Sequence, residues 1–368
     1  MLAIINYIRA NGLDKAIESF KLKSRIYENK IILKYDQLES NMALPEVQEC
    51  RGLILEKDTW EILSYPMRKF FNLGEGNAAD IDLSTAKCLI KYDGSLIHAY
   101  WDWNKDMWFA ATTGMAEGEG EVNNLTNSTF NELFWRTANL NLTKLDKDLV
   151  YMFELCTPEN VVVTPHTEYK VVLLAIRNRV TLKEFQYSAL AEVAETICVP
   201  MAEFIDMKIN SLNEIKDRFA NMPFHEEGYV VIDNKFNRVK LKNPAYVAVH
   251  MLKGKTGFHH IMDIIKSNEV DEYITTFPTR EVEIRELKVS YTSLINTLYT
   301  IWTELSKFNP SNGLNTQKEY AAEVFKITDE YNLRMFSGLF FQLAKSKTSS
   351  IMEYIKDVDN KILYELLK

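Results

Sequence analysis

Cysteine is scarce in this chain. Only Cys50, Cys88, Cys156 and Cys198 occur, widely spaced and with no C-x-x-C pair among them. The pattern excludes a disulfide framework and leaves buried free thiols in a reducing, cytoplasmic compartment as the expectation. Histidine is scarce as well. There are six, with His259 and His260 adjacent rather than four apart and no H-E-x-x-H, so no zinc site is expected. Nowhere do apolar residues run for the roughly 20 positions that a bilayer-spanning helix needs, and no membrane association is expected. The opening Met1-Leu2-Ala3-Ile4-Ile5-Asn6-Tyr7-Ile8 lacks a basic region and a small-residue cleavage site, and reads as a helix rather than a signal peptide. An excess of positive charge is also missing. Lys and Arg number 43 against 51 Asp and Glu, a net charge of −8, which argues against nonspecific coating of nucleic acid. A local basic groove is still compatible with that balance, because a few cations suffice to hold phosphates. Internal repeats and low-complexity tracts are absent.

What is present is ordinary for a folded protein: 46% hydrophobic and 26% charged residues over 368 positions, enough for about two domains. From Lys30 to Lys242 short β-rich runs alternate with turns. The pattern predicts strands over Ile31–Tyr35, Gly52–Leu55, Cys88–Lys91, Ser95–Tyr100, Val150–Leu155, Lys170–Ile176, Gly228–Ile232 and Arg238–Leu241. Helical spacing marks Ser128–Asn139, Leu182–Thr196 and Leu212–Ala220. Many strands with irregular helices predict an α+β domain on antiparallel sheets over residues 1–250. After His250 the period changes. Tyr291, Leu294, Leu298, Trp302 and Leu305 step along one helix face, with similar stripes over Ile261–Ile265, Ala321–Leu343 and Ile351–Leu367, so residues 251–368 are expected to form an all-α domain.

Four segments carry chemistry. In Lys91-Tyr92-Asp93-Gly94-Ser95, apolar flanks put the lysine at a strand end. A lysine beside other cations in a partly desolvated pocket sheds its proton more readily and becomes a nucleophile. An exposed hairpin turn is the competing reading. Glu154 stands inside the apolar run Leu149–Leu155; a buried carboxylate needs a partner such as a ribose hydroxyl or a metal. Its alternative is an outward position, since in an alternating strand Met152 and Phe153 would not both face the core. Glu226-Glu227-Gly228 enters the strand Tyr229-Val230-Val231-Ile232, where a carboxylate can hold Mg²⁺ directly or through water, or simply lie in a charged turn. Lys240 and Lys242, two apart on a strand, point to one side and can reach one polyphosphate, or face solvent.

Their order is informative. A lysine, a strand glutamate, E-G at a strand start and K-x-K on a strand resemble the motif series of the covalent nucleotidyltransferases, which comprise DNA ligases, RNA ligases and capping enzymes. In DNA ligases and capping enzymes the first motif usually runs K-x-D-G-x-R, and Leu96 stands at that arginine's place. Nor does the helical tail offer β-rich text for the OB-fold those enzymes carry. Upstream, Glu49-Cys50-Arg51-Gly52-Leu53 and Arg68-Lys69-Phe70-Phe71-Asn72-Leu73-Gly74-Glu75, with Tyr229 and Tyr246 downstream, resemble segments of the bacteriophage RNA ligase 1 family of T-even type.

That resemblance implies a nucleotidyltransferase domain of ATP-grasp-like antiparallel sheets, an all-α C-terminal domain and no OB-fold. It implies an ATP-dependent RNA ligase in which Lys91 attacks the α-phosphate of ATP. Arg51, Lys69, Lys240 and Lys242 would neutralise the triphosphate, with Tyr246 adding a hydroxyl and Glu154 meeting the ribose. Glu227 would hold Mg²⁺ through water, Asp93 would assist near lysine and metal, and Mn²⁺ is an allowed substitute. The implied substrate is RNA with 5′-phosphate and 3′-hydroxyl ends, a nicked transfer RNA being the natural case. A monomer is expected, in the infected bacterial host cell if the chain is phage-encoded. One departure stands out: where the family usually has a lysine in a K-G-S run, this chain has Thr112-Thr113-Gly114-Met115.

Other features read blandly. Gly254-Lys255-Thr256 ends like a P-loop, but Val249 occupies the first glycine's place. Tyr100, Trp101 and Trp103 could stack bases but read better as strand-face packing. The acidic run Glu117 to Glu121 reads as a solvated loop. The competing functions are a DNA-end or capping nucleotidyltransferase and a noncatalytic RNA-binding relative. The intact set Lys91, Glu154, Glu227, Lys240 and Lys242 disfavours the last.

Overall fold

The computed structural model describes residues 1–122, 128–140, 142–205, 209, 211–252, 260–276, 281–308, 310, 316–345 and 350–368. Its contacts divide into two compact units, Met1–Lys253 and Gly254–Lys368.

The first unit holds three sheets. Sheet one is antiparallel, in the order β1 (Leu22–Ile26), β2 (Lys30–Tyr35), β3 (Arg51–Glu56), β4 (Ile62–Ser64). Sheet three runs β11 (Phe204–Ile205), β6 (Lys87–Lys91), β12 (Gly228–Ile232), β13 (Arg238–Lys242), β5 (Phe71–Asn72), with only the β13–β5 pair parallel. Inserted in sequence between β6 and β11 of sheet three, sheet two is ordered β10 (Lys170–Asn178), β9 (Leu149–Cys156), β7 (Ser95–Asp102), β8 (Met107–Ala111). Among the described residues seven α-helices accompany the sheets: α1 (Ala3–Asn11), α2 (Leu13–Phe20), α3 (Pro45–Glu49), α4 (Phe130–Ala138), α5 (Tyr187–Ile197), α6 (Leu212–Asp217) and α7 (Pro244–Leu252). α4 begins on a capping box, Thr129 and Glu132 satisfying each other's backbone N–H groups.

Sheet one buries Leu33, Leu53 and Leu55 against Ile4, Ile5 and Ile8 of α1. Its other face puts Ile32 and Ile54 on Tyr100, Phe109 and Val150 of sheet two. Sheet two is therefore covered on both sides. Phe153 packs with Phe134 of α4, while Met152 packs with Met67 and Ala175, and both are fully buried. The expectation that these neighbours could not both be buried is corrected: alternation distinguishes two faces, and here both are interior.

The second unit contains helices and no strand among its described residues: α8 (His260–Lys266), α9 (Val270–Thr276), α10 (Glu281–Leu305), α11 (Gln317–Glu330), α12 (Ser337–Ala344), α13 (Ile351–Asp357) and α14 (Asn360–Leu367). Ile284, Leu287, Tyr291, Leu294, Leu298, Ile301 and Leu305 form the buried stripe of α10. The stripes over 321–343 and 351–367 each break into two helices, the second break capped by Asp359, whose carboxylate accepts from Lys361 and Ile362 N–H. No helix is long and apolar enough to cross a membrane among the described residues. The architecture is α+β followed by α, with no barrel in the described residues. The P-loop-like Gly254–Thr256 lies outside them.

Tyr100 and Trp101 are buried strand-face residues, whereas Trp103 is 47% exposed. The acidic run is not simply solvated. Glu117 pairs with the buried Lys30 at 2.8 Å and Glu119 with Arg25 at 2.5 Å, so these carboxylates neutralise cations of sheet one.

Candidate active site

The site starts from strand register. β6 ends at Lys91, and β12 begins at Gly228 directly opposite it. On the other side of β12, Gly228 faces Lys242 at the end of β13. One rung across three strands thus gathers the lysine of the first motif, the E-G of the third and the second lysine of K-x-K. Glu227, next to that rung and only 6% exposed, spans the two cations. Its Oε2 lies 2.5 Å from Lys91 Nζ and its Oε1 lies 3.6 Å from Lys242 Nζ.

Lys91 and Lys242 open onto a cavity of about 660 Å³, within the usual range for small-ligand sites. Arg51, Lys69, Lys91, Glu154, Lys240 and Lys242 all line it. Phe70 lies between two of the cations, 5.3 Å from Arg51 Cζ and 5.8 Å from Lys240 Nζ. Lys69 Nζ sits 5.3 Å from the Tyr35 ring and 5.6 Å from Phe71. Aromatic faces hold these cations over the cavity without neutralising them. Arg51 Nη1 is buried with no hydrogen-bond partner, which an anion entering the cavity would remedy. The neighbouring Arg68 is committed elsewhere, at 2.7 Å from the buried Glu49.

Glu154, on β9 opposite Leu96 of β7, forms part of the wall. Burial pushes its carboxyl up to about 7; Lys91 and Arg51 oppose that shift, while Glu227 and Asp93 add to it. A carboxylate so placed is ready to take a hydrogen-bonding or cationic partner.

Asp93 and Tyr246 have a different placement from the one expected. The Asp93 carboxylate is 5% exposed and absent from the cavity lining. Its Oδ2 accepts from Val163 N at 2.8 Å and Thr164 N at 2.6 Å, and its Oδ1 accepts from the Tyr246 hydroxyl at 2.7 Å. Burial alone would raise this carboxyl, but the donors on Thr164, Tyr246 and Val163 hold it below its ordinary value. With both oxygens engaged, Asp93 ties the loop after Lys91 to the 163–164 segment and to α7. Where a metal-side carboxylate and a phosphate-side hydroxyl are expected, Asp93 and Tyr246 face each other in this structure. Tyr229 is buried and stacked on Phe219 at 5.8 Å.

Gly94 has a specific reason to be glycine. A Cβ there would collide with the Leu155 carbonyl oxygen and meet Cys156 Sγ at 3.2 Å. The absent side chain lets the turn after Lys91 seat against β9, which carries Glu154. Lys34 lines the cavity too and escaped the sequence reading, since one lysine in Ile31–Tyr35 looks the same whether it faces solvent or a site.

The RNA ligase family profile, of the T4 ligase 1 type, matches residues 49–246, more than half of the chain. The chain belongs to the RNA ligase family. An RNA ligase of Rhodothermus phage RM378 is 26% identical over 324 residues, covering 70% of this chain and 73% of that protein. A protein provisionally described as an RNA ligase in Thermovibrio ammonificans is 26% identical over 355 residues, covering 88% and 87% respectively. Among solved structures, an archaeal ATP-dependent RNA ligase is 12% identical, covers 77% of this chain and 79% of its own, and superposes with a TM-score of 0.46.

The cavity residues fit a hard divalent cation only in a restricted way. No group of three or more His, Cys, Asp or Glu that could hold a metal is found among the described residues. Mg²⁺, however, commonly takes one or two protein carboxylates and fills its shell with phosphate oxygens and water. Glu227 and Glu154 are the carboxylates available for that.

Proposed function

We propose that this RNA ligase family member joins RNA 5′-phosphate and 3′-hydroxyl ends at the expense of ATP through an AMP carried on Lys91. The observation that carries the reading is the rung on which Lys91, Lys242 and Glu227 meet at the mouth of a cavity lined by Arg51, Lys69, Lys240 and Glu154.

The chemistry follows from placement. With its proton removed, Lys91 Nζ forms a bond to the α-phosphorus of ATP as the bond to the bridging oxygen breaks, and pyrophosphate leaves. Arg51, Lys69, Lys240 and Lys242 neutralise the charge that gathers on the departing phosphates. Glu154 holds the ribose. A bound Mg²⁺, which Glu227 would hold through water, would supply further charge neutralisation at the phosphate oxygens. The Lys91 N–P bond then breaks as an oxygen of the RNA 5′-phosphate takes AMP. Finally the 3′-hydroxyl attacks that phosphate, and AMP leaves.

For the natural substrate we propose transfer RNA broken in its anticodon loop, on the family resemblance, with the helical second unit contributing to its recognition. The enzyme acts as a monomer in this reading. All four cysteines are free, which fits a reducing cytoplasm.

Incubation with α-labelled ATP and Mg²⁺, then denaturing electrophoresis, tests the core of the proposal. Wild type should carry label, and Lys91→Ala should carry none; label on Lys91→Ala protein would overturn it. Parallel joining assays with 5′-phosphorylated RNA, the same ends in DNA, and nicked transfer RNA separate the substrate classes.

A further inference from the structure

Lys34 occupies a place that the reaction scheme leaves unused. It lies on β2, and its Cα partner across the sheet is Arg51 on β3. The pairing is irregular. Leu33 faces Leu53 while Lys34 faces Arg51, so Gly52 is the extra residue of a β-bulge and has φ of +92°. A bulge re-aims the side chains next to it, and directly opposed residues of an antiparallel pair present their side chains on one face. Lys34 and Arg51 accordingly line the same cavity.

Gly52 also sets what lies beneath them. A Cβ there would stand 2.9 Å from Thr113 Cα and 3.3 Å from Thr113 O, so the bulge admits the 112–114 turn into close contact. A Cβ added at Gly114 would in turn lie 3.9 Å from Lys34 Nζ and 3.8 Å from its Cδ. The Lys34 ammonium is therefore stationed directly over the turn that carries Thr113. Among the described residues it forms no ion pair with any carboxylate, and Arg51 Nη1 beside it is buried without a partner. Two cations on one rung, both facing a cavity and neither neutralised, are arranged for an anion.

We infer that Lys34 and Arg51 form a phosphate subsite, in which Lys34 supplies from β2 the positive charge that a lysine at position 113 would supply from the neighbouring turn. The inference rests on the ligase reading above. The phosphate is either that of the ATP polyphosphate or the terminal 5′-phosphate of the RNA, and the two are separable.

The test uses full-length wild type, Lys34→Ala, Lys34→Arg and the double variant Lys34→Ala/Thr113→Lys, each checked for an unchanged melting profile. Titration calorimetry with inorganic tripolyphosphate and single-turnover labelling with ATP read the first source. Transfer of AMP from pre-labelled enzyme to 5′-phosphorylated RNA reads the second. Lys34→Ala should lose about tenfold to a hundredfold in the arm that uses the subsite, the scale of one charge-assisted contact to phosphate. Lys34→Arg and the double variant should each return to within about threefold of wild type. Wild-type behaviour of Lys34→Ala in both arms overturns the inference. So does a defect that neither Lys34→Arg nor Thr113→Lys relieves, because charge at that place would then not be what matters. If wild type itself takes no label from ATP, the ligase reading fails, and equilibrium binding of tripolyphosphate and of 5′-phosphorylated RNA to wild type and Lys34→Ala still decides the subsite.

Discussion

The Glu227 carboxylate lies 2.5 Å from the Lys91 ammonium and 3.6 Å from that of Lys242. The contact exists because Lys91, Gly228 and Lys242 share a rung of sheet three. An ammonium is not a nucleophile, so Lys91 must give up a proton before it attacks, and the Glu227 carboxylate is the acceptor in contact with it.

Glu227→Gln keeps the shape of that side chain and removes its charge. Its initial rate of labelling with ATP should fall about a hundredfold or more, the scale of losing a proton-handling or charge-organising group. The melting temperature should change little, because Lys91 and Lys242 keep access to solvent through the cavity. A labelling rate equal to wild type would remove Glu227 from the chemistry.

Asp93 should behave as a strut. Asp93→Ala leaves the N–H groups of Val163 and Thr164 and the hydroxyl of Tyr246 without their acceptor, and each buried orphan costs about 1–3 kcal/mol. A double-mutant cycle with Tyr246→Phe should give a coupling of about 0.5–3 kcal/mol, since the two share one hydrogen bond. Additive stabilities would contradict the observed contact. The pH sign is also set. The folded Asp93 carboxyl is held below its ordinary value, so its contribution is present above the unfolded value and is lost as pH falls through the lower folded one. Asp93→Ala should flatten the acid limb of the stability profile.

Glu154 predicts the opposite slope. Burial raises its carboxyl from 4.5 to about 7, so the folded protein keeps a proton there that the unfolded chain has released. Between those values the native state binds more protons, and stability falls as pH rises. Glu154→Gln removes the effect. Its melting temperature relative to wild type should climb between pH 5 and pH 8, whereas a pH-independent difference would show that Glu154 is not titrating in the site.

Gly94→Ala places a methyl group against the Leu155 carbonyl. The backbone must shift, at a cost of about 1–3 kcal/mol for overpacking, and Lys91 shifts with it. Labelling with ATP should drop at least about tenfold. Retention of full activity would mean that the turn after Lys91 has slack that the packing against β9 does not show.

Local text determined a good deal of this protein. Short β-rich runs bounded by turn residues marked β2, β3, β6, β7, β9, β10, β12 and β13 within a residue or two. The three-and-four spacing marked α10, because a helix face and a strand face repeat with different periods. The order Lys91, Glu154, Glu227, Lys240, Lys242 pointed to the chemistry. Strands with little alternating signal escaped, such as β1, which is exposed after its first residue, and the two-residue β5 and β11.

Tertiary structure alone decided the rest. Register between distant strands is set by which faces become buried together, and no local pattern records that. It brought Lys91, Gly228 and Lys242 onto one rung, covered both faces of β9 so that Met152 and Phe153 are equally buried, and turned Asp93 and Tyr246 toward each other. Above all, a one-residue bulge at Gly52 aimed Lys34 into the cavity beside Arg51. In sequence, Lys34 and Thr113 are 79 positions apart, and only the packing of β2 and β3 on the 112–114 turn makes them neighbours.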